Sequence, residues 1–441
     1  MVSVADVRRQ VGGAALNAHH VRIIAIVACA TIFDGYDNFI PSYIIHFTRD
    51  AWHLSLGQAG FLVSSGLIGF MIGALGNGPI ADRFGRKPTL VAALLVAGAF
   101  STFTGLWAHS FPAFVILRIL TGVGLGVILP LSTAYMNELM PTRLSNVTTV
   151  LATGGYTIGG TLAGLAGFTL VNSFGWPILF LLGGSAILLA FICIAWLPES
   201  PLYLVGAGRN LEAREVMQII APDRFDPRES LAMNEQTMRK GSVALLLNAT
   251  NRRTTILIWT VESMVLFNAY GLIGWIPTVM IQRGEAVASG FLFGALLQIA
   301  SLLGGLTCSL FADLSGSRRA ALTAWWTLGT LSVIGLALIN THLTNILFVG
   351  ISGMCVLGPL LVLNNLVSQL FETEVRSTAV GWALGVGRIG GIIGPVVAGW
   401  TLQRSENASL MFTVIACSGL MSIGTVLTIP KTNLGTSDAS G

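Results

Sequence analysis

Charge is scarce in this 441-residue sequence: Asp, Glu, Lys and Arg make up 10% of it. Soluble domains carry about 25%. So few charges cannot solvate a surface of this size, which excludes a soluble globular protein. The net charge of +4 has a distribution that membrane topology explains, so no nucleic-acid partner is implied. Cysteine is scarce too. Cys29, Cys193, Cys308, Cys355 and Cys417 lie singly in apolar stretches, without CxxC or zinc spacing, and read as packing residues. The six histidines show no ligand spacing, so neither a metal nor a cofactor is expected. There is no nucleotide-binding loop, HExxH or nucleophile elbow, and the polar segments are too short for a catalytic domain. An enzyme is excluded on those grounds.

What is abundant is apolar. Hydrophobic residues reach 53%, mean hydropathy is +0.76, and 52 glycines suit close helix packing in lipid. Twelve apolar stretches long enough to cross a bilayer fall at about 21–47, 58–80, 88–108, 111–135, 147–171, 177–197, 254–280, 289–313, 319–340, 343–370, 375–402 and 408–429. The first follows a polar tail with Arg8, Arg9 and Arg22 and reads as a retained signal anchor. With both termini cytoplasmic, the external loops hold only Arg49, Arg283 and Arg404. The cytoplasmic loops then hold Arg83, Arg86, Lys87, Arg143, Arg318, Arg319 and Arg376. That one-sided bias fixes the expected topology.

A polar stretch at 198–253 separates six spans from six, and Leu211 to Ile220 within it reads as a short amphipathic helix. The expected domains are therefore a first bundle at 1–197, a cytoplasmic linker at 198–253 and a second bundle at 254–441. An internal repeat agrees. Gly78-Pro-Ile-Ala-Asp82 matches Ser309-Leu-Phe-Ala-Asp313 at an offset of 231 residues. The same offset sets Ala152-Thr-Gly-Gly-Tyr-Thr-Ile-Gly-Gly160 against Ala383-Leu-Gly-Val-Gly-Arg-Ile-Gly-Gly391. Two such bundles predict a pseudo-two-fold transporter, with its solute site at the bilayer midplane where the halves meet.

The residues from Gly78 to Lys87, with Asp82, Arg83, Gly85 and Arg86, resemble the G-x-x-x-D-R-x-G-R-R signature of the major facilitator superfamily. A second copy keeps Asp313, Gly316, Arg318 and Arg319 but has lost the first glycine. Arg118-Ile-Leu-Thr-Gly122-Val-Gly124-Leu-Gly126 resembles the superfamily's R-x-x-x-G-x-G-x-G. The resemblance implies an all-α membrane protein, twelve transmembrane helices in two pseudo-symmetric six-helix bundles, in a multi-pass plasma (bacterial inner) membrane location and as a monomer. It also implies a conformational latch of Gly78, Asp82, Arg83, Gly85, Arg86, Asp313 and Arg318. There Gly78 permits close helix approach and Asp82 faces a helix N-terminus and nearby arginines. Asp34-Gly35-Tyr36-Asp37 is similar to the D-G-x-D of aromatic acid:proton symporters, and Gly385 to Pro395 also resembles them. Leu129-Pro130-Leu131-Ser132-Thr133 is more like carriers of nicotinate and other organic metabolites. Sugar porters share Gly-Tyr-Asp and Pro-Glu-Ser-Pro but carry paired glutamines on the seventh span, absent here.

Five ionisable residues fall well inside predicted spans: Asp34, Asp37, Arg118, Glu262 and Arg388. A charge at mid-bilayer costs about 2.5–3.5 kcal/mol on insertion scales, so each needs a partner or a wet cavity. At about 1.5 Å per residue, Asp34 and Arg388 both lie some 20 Å into their spans. Arg388 offers a planar fork for a substrate carboxylate, with Arg118 either assisting or held in a structural ion pair. Asp34 or Asp37 is expected to carry a coupling proton, with Glu262 as a rival site. Tyr36, Tyr156, Asn268, Tyr270, Asn364 and Trp382 are candidates to line the site with rings and amides. The expected activity is proton-coupled import of a small organic anion such as a benzoate or hydroxybenzoate. The alternatives are a carrier of another organic anion, a nicotinate-like or a sugar-like metabolite, or a membrane sensor.

Overall fold

The computed structural model describes residues 4–225, 243–404 and 408–429, and side chains at 4–5, 144–153, 243–244, 373–374 and 376–377 fall outside that description. Arg376, one of the residues behind the expected topology, is among these. The described residues form helices joined by turns and short loops, and contain no strand.

A short helix α1 (Val4–Gly13) precedes α2 (Ala18–Ala51), α3 (Leu56–Phe84), α4 (Arg86–Trp107), α5 (Phe111–Leu139) and α6 (Ser145–Phe174). The sixth span is broken into α7 (Pro177–Gly183) and α8 (Ala186–Trp196). Then come α9 (Pro201–Gly206), α10 (Asn210–Ile220) and α11 (Val243–Leu246). The second half contains α12 (Arg252–Gln282), α13 (Val287–Ser315) and α14 (Arg318–Leu338). Its fourth span is α15 (His342–Ser352), a π-turn at Gly353–Leu357, and α16 (Leu360–Leu370). It ends with α17 (Thr373–Gln403) and α18 (Ser409–Thr428). Eleven spans among the described residues are long and apolar enough to cross a membrane, and α6 completes the expected twelve by position. Two expected spans are interrupted where glycine and proline dictate it, at Gly183-Gly184-Ser185 and at Gly358-Pro359.

The chain divides into two compact units, Met1–Thr237 with Ala286–Gln298, and Met238–Glu285 with Ile299–Gly441. In the first unit, α2 packs along α6 and α3 along α5; in the second, α12 packs along α17. Glycines set these close approaches. A methyl on Gly159 of α6 would collide with the Ile32 carbonyl of α2, and one on Gly390 of α17 with the Ser263 carbonyl of α12. Gly73 of α3 meets the Val123 carbonyl, and Gly304 of α13 meets that of Met354. Both members of each pair are related by the 231-residue offset read from the sequence. The repeat is thus geometric as well as sequential.

The N-terminal segment, expected to be a mere polar tail, is a helix. Val7, Val11 and Ala14, spaced along one face, are 0%, 3% and 2% exposed, in one apolar cluster with Ala213, Met217 and Ile220 of α10. Asn17 Nδ2 donates to the Ile219 carbonyl at 2.9 Å, and the Ala15 N–H donates to Asp223 Oδ2 at 3.2 Å. Ten residues with two inward positions, and Ala14 just beyond them, give too short a period for the sequence alone to separate from a tail.

Candidate functional site

The first unit gathers its polar residues around Asp37. Pro41 lies four residues beyond it in α2, and proline has no N–H to bond the carbonyl one turn back. The Asp37 carbonyl is therefore left for another donor, and Arg118 Nη2 of α5 donates to it at 3.0 Å. Arg118 Nη1 also pairs with Asp37 Oδ1. Both side chains are essentially out of solvent, Arg118 at 0% and Asp37 at 3% exposure. The guanidinium lies 5.4 Å from the ring centre of Phe180, and Gly66 of α3 leaves room beside it. Asp37 Oδ2 bonds to the Ser101 hydroxyl of α4, which is also 3.0 Å from the Phe180 carbonyl.

Neighbours on α2 extend this cluster. Asp34 is fully buried, and the Tyr36 hydroxyl donates to the Leu179 carbonyl at 3.2 Å. Asn38 Nδ2 donates to the Tyr156 hydroxyl, and Tyr156 meets Phe39 edge-on at 5.0 Å. Gly35 lets α6 come this close, since a methyl there would strike the Tyr156 carbonyl.

In the second unit Arg388 of α17 donates from Nη1 to the Tyr270 hydroxyl of α12 at 2.7 Å, and its guanidinium lies 5.9 Å from that ring's centre. Gly391 makes room for the ring, as a methyl would sit 2.9 Å from Tyr270 Cδ2. Glu262 is 1% exposed, packs against Gly387, and has Arg388 as its charged neighbour. Neither of its carboxyl oxygens has a hydrogen-bond partner among the described residues. Asn268 turns its amide toward α18, donating to the Ile415 carbonyl and Ser418 Oγ at 3.1 Å each. Asn364 is half-buried, while Trp382 is 42% exposed and lies 6.0 Å from Trp259.

Sequence reasoning gave Arg118 a secondary place beside Arg388; the structure gives it the ion pair with Asp37. Tyr270 and Arg388 come together as candidates for one site, whereas Asn268 belongs to the α12–α18 packing. Ser101, Asn38 and Gly183 were missed. The proline four residues after Asp37 was the one local signal that this acid has a special setting.

The loop after α3 agrees with expectation in that Asp82 meets a nearby arginine, and differs in the rest. Asp82 Oδ1 pairs with Arg86 at 2.9 Å, and Arg86 reaches Glu138 at 3.1 Å. The carboxylate at a helix N-terminus is Glu199, not Asp82. Its Oε1 accepts from the backbone N–H groups of Arg86 at 2.9 Å, Lys87 at 3.2 Å and Ser200 at 2.7 Å, capping α4. Gly85 adopts φ +101°, and a side chain there would strike Glu199. Gly78, expected to permit close approach, faces open space within its unit. Arg83 is exposed and reaches the Phe84 ring at 5.3 Å. In the second copy, Asp313 makes no ion pair among the described residues, Arg318 is half-buried at the start of α14, and Arg319 donates to the Ile429 carbonyl at 2.8 Å.

The model of the Major Facilitator Superfamily matches residues 27–395. The chain belongs to that superfamily. It is a multi-pass membrane transporter and not an enzyme. It is 30% identical to the 4-hydroxybenzoate transporter PcaK of Pseudomonas putida over 96% of both chains. It is 27% identical to the benzoate transport protein of Acinetobacter baylyi, over 96% of this chain and 92% of that one. The niacin transporter NiaP of Acinetobacter baylyi is also 27% identical, over 93% of both. Among solved structures, the xylose transporter XylE from E. coli superposes with a TM-score of 0.73 at 18% identity, covering 95% of this chain and 100% of that one. A bacterial homologue of the human lysosomal transporter Spinster gives 0.71 at 16% identity, covering 94% and 95%. At that identity these two structures speak to the fold alone.

Proposed function

We propose that this superfamily member imports a small aromatic carboxylate, of the benzoate or hydroxybenzoate kind, together with a proton, by alternating access. The observation that carries this is Arg388 bonded to Tyr270. A planar cation beside a phenol ring offers a fork for a carboxylate and a face for a flat substrate. The full-length similarity to PcaK and the benzoate transport protein supports the same class of solute.

The proton is assigned to Asp37. Protonation there would discharge the buried pair with Arg118 and change the charge of the first unit's core by one. Asp34 and Glu262 are the remaining acids buried in spans among the described residues and serve as its competitors for that role. The protein is placed in a bacterial inner membrane as a monomer, with cytoplasmic termini, bundles at 1–197 and 254–441, and a linker at 198–253. The loop of Asp82, Arg83 and Arg86 with Asp313 and Arg318 is proposed as its latch, and Asp82→Asn is expected to slow transport at unchanged membrane abundance. A second reading, a pyridine carboxylate as substrate, is favoured by the Leu129 to Thr133 sequence and by the likeness to NiaP.

The test is uptake of labelled 4-hydroxybenzoate, benzoate and nicotinate into proteoliposomes, with and without an inward proton gradient. Arg388→Lys should weaken apparent affinity for each carried acid at least about tenfold, since a lysine cannot make the bidentate contact. Asp37→Asn should abolish accumulation against a gradient. Accumulation that ignores both pH and membrane potential would remove the symport reading.

A further inference from the structure

Ser101 is a buried hydroxyl with two acceptors and one proton. Its oxygen bonds to Asp37 Oδ2 and lies 3.0 Å from the Phe180 carbonyl. Gly183, at the break between α7 and α8, is the residue that leaves space for this arrangement. A methyl there would sit 2.6 Å from both Asp37 Oδ2 and Ser101 Oγ. Three helices, α4, α5 and α7, thus close around a single carboxyl group of α2.

A buried carboxyl that gains and loses a proton must be satisfied in both states, because an unmet polar group in such a place is costly. Arg118 favours the ionised state, to which its charge is opposed. Ser101 can serve both. We propose that Ser101 is a positioning residue for proton coupling, reversing its hydrogen bond with Asp37 each time that carboxyl changes charge. With Asp37 ionised, the Ser101 O–H donates to Oδ2. When a proton from water is taken up on Oδ2, the new O–H donates to Ser101 Oγ, and the serine proton turns to the Phe180 carbonyl. No other bond is made or broken, and the net change is the one proton gained. The Phe180 carbonyl already accepts the Gly184 N–H at 2.9 Å, at the break in the sixth span, so the turn of one hydroxyl is felt at a weak point of that helix. The other groups facing Asp37 are Arg118 from α5 and Tyr36 on α2; α6 contributes Tyr156 through Asn38, and α3 contributes Gly66 beside the guanidinium.

This inference rests on Asp37 as the coupling carboxyl, and the experiment separates the two. The pH dependence of proton-driven 4-hydroxybenzoate uptake is measured in proteoliposomes for the unaltered protein, Ser101→Ala and Gly183→Ala, each first checked for a monodisperse elution peak. Hydrogen bonds to a charged group are worth more than those to a neutral one, so removing the serine disfavours the ionised state. The midpoint should move upward by about 0.5–1 pH unit. Gly183→Ala, whose methyl crowds both the Ser101 hydroxyl and Asp37 Oδ2 and so parts them, should shift the midpoint the same way, and Ser101→Thr should restore the original profile. An unmoved midpoint in both Ser101→Ala and Gly183→Ala overturns the role of Ser101 while leaving coupling intact. Uptake by the unaltered protein that ignores the proton gradient overturns the coupling reading itself. Should Ser101→Ala not fold, Gly183→Ala alone decides.

Discussion

Asp37 is held by a cation, a hydroxyl and the removal of a competing backbone donor, all within one turn of α2. Such an arrangement is far less tolerant of single than of double changes. Taking away one partner of a buried pair leaves the other charge without compensation, at a cost of about 3–5 kcal/mol. Arg118→Leu is therefore expected to lower the thermal midpoint of the purified protein sharply. Asp37→Asn with Arg118→Leu should recover most of the loss while remaining inactive, and equal melting of single and double variants would contradict this. The charges themselves were legible in the sequence because lipid makes every ionisable residue conspicuous. Their pairing was not, since depth along a helix axis does not tell which way a side chain turns around it.

At the scale of elements, the fold was readable because span length and small-residue spacing are both local properties. The boundaries of α2 and α5 ran beyond the expected limits by a few residues, where polar ends continue the helix past the apolar run. The glycine contacts were less visible. Gly159 and Gly390 each abut a carbonyl of a neighbouring helix, so Gly159→Leu and Gly390→Leu should both cost stability by forcing α2 from α6 and α12 from α17. Gly78, facing open space, should tolerate alanine, and comparing the three thermal midpoints checks this. Glu199 gives the elements a pH dependence of its own. Burial outweighs its three backbone hydrogen bonds and raises its pKa above the ordinary 4.5. A carboxyl whose folded pKa is raised contributes stability that is full below about pH 4.5 and lost as pH climbs through the raised value. The melting temperature of the detergent-solubilised protein should fall over that interval, and Glu199→Gln should flatten that part of the curve.

For the whole molecule, the two halves keep the same scaffold and divide the charges differently. At the 231-residue offset, Asp37 corresponds to Asn268 and Arg118 to Val349, while Glu262 corresponds to Thr31 and Arg388 to Thr157. Acid and base have disappeared together from each equivalent place, as expected when a lone buried charge is intolerable. Asn268→Asp alone should therefore reduce the yield of folded protein, and adding Val349→Arg should restore part of it; if Val349→Arg gave no recovery, the correspondence would be sequential only. The register was already set by the sequence repeat, and the glycine contacts show that it holds in space. On the proposed roles this asymmetry also makes the halves non-interchangeable. A chimera carrying two copies of residues 1–197 would hold a second Asp37–Arg118 pair and nothing resembling the Arg388–Tyr270 fork, whereas one built from two copies of 254–441 would hold two such forks and, of the proposed proton carriers, Glu262 alone. On the proposed roles, neither half would stand in for the other.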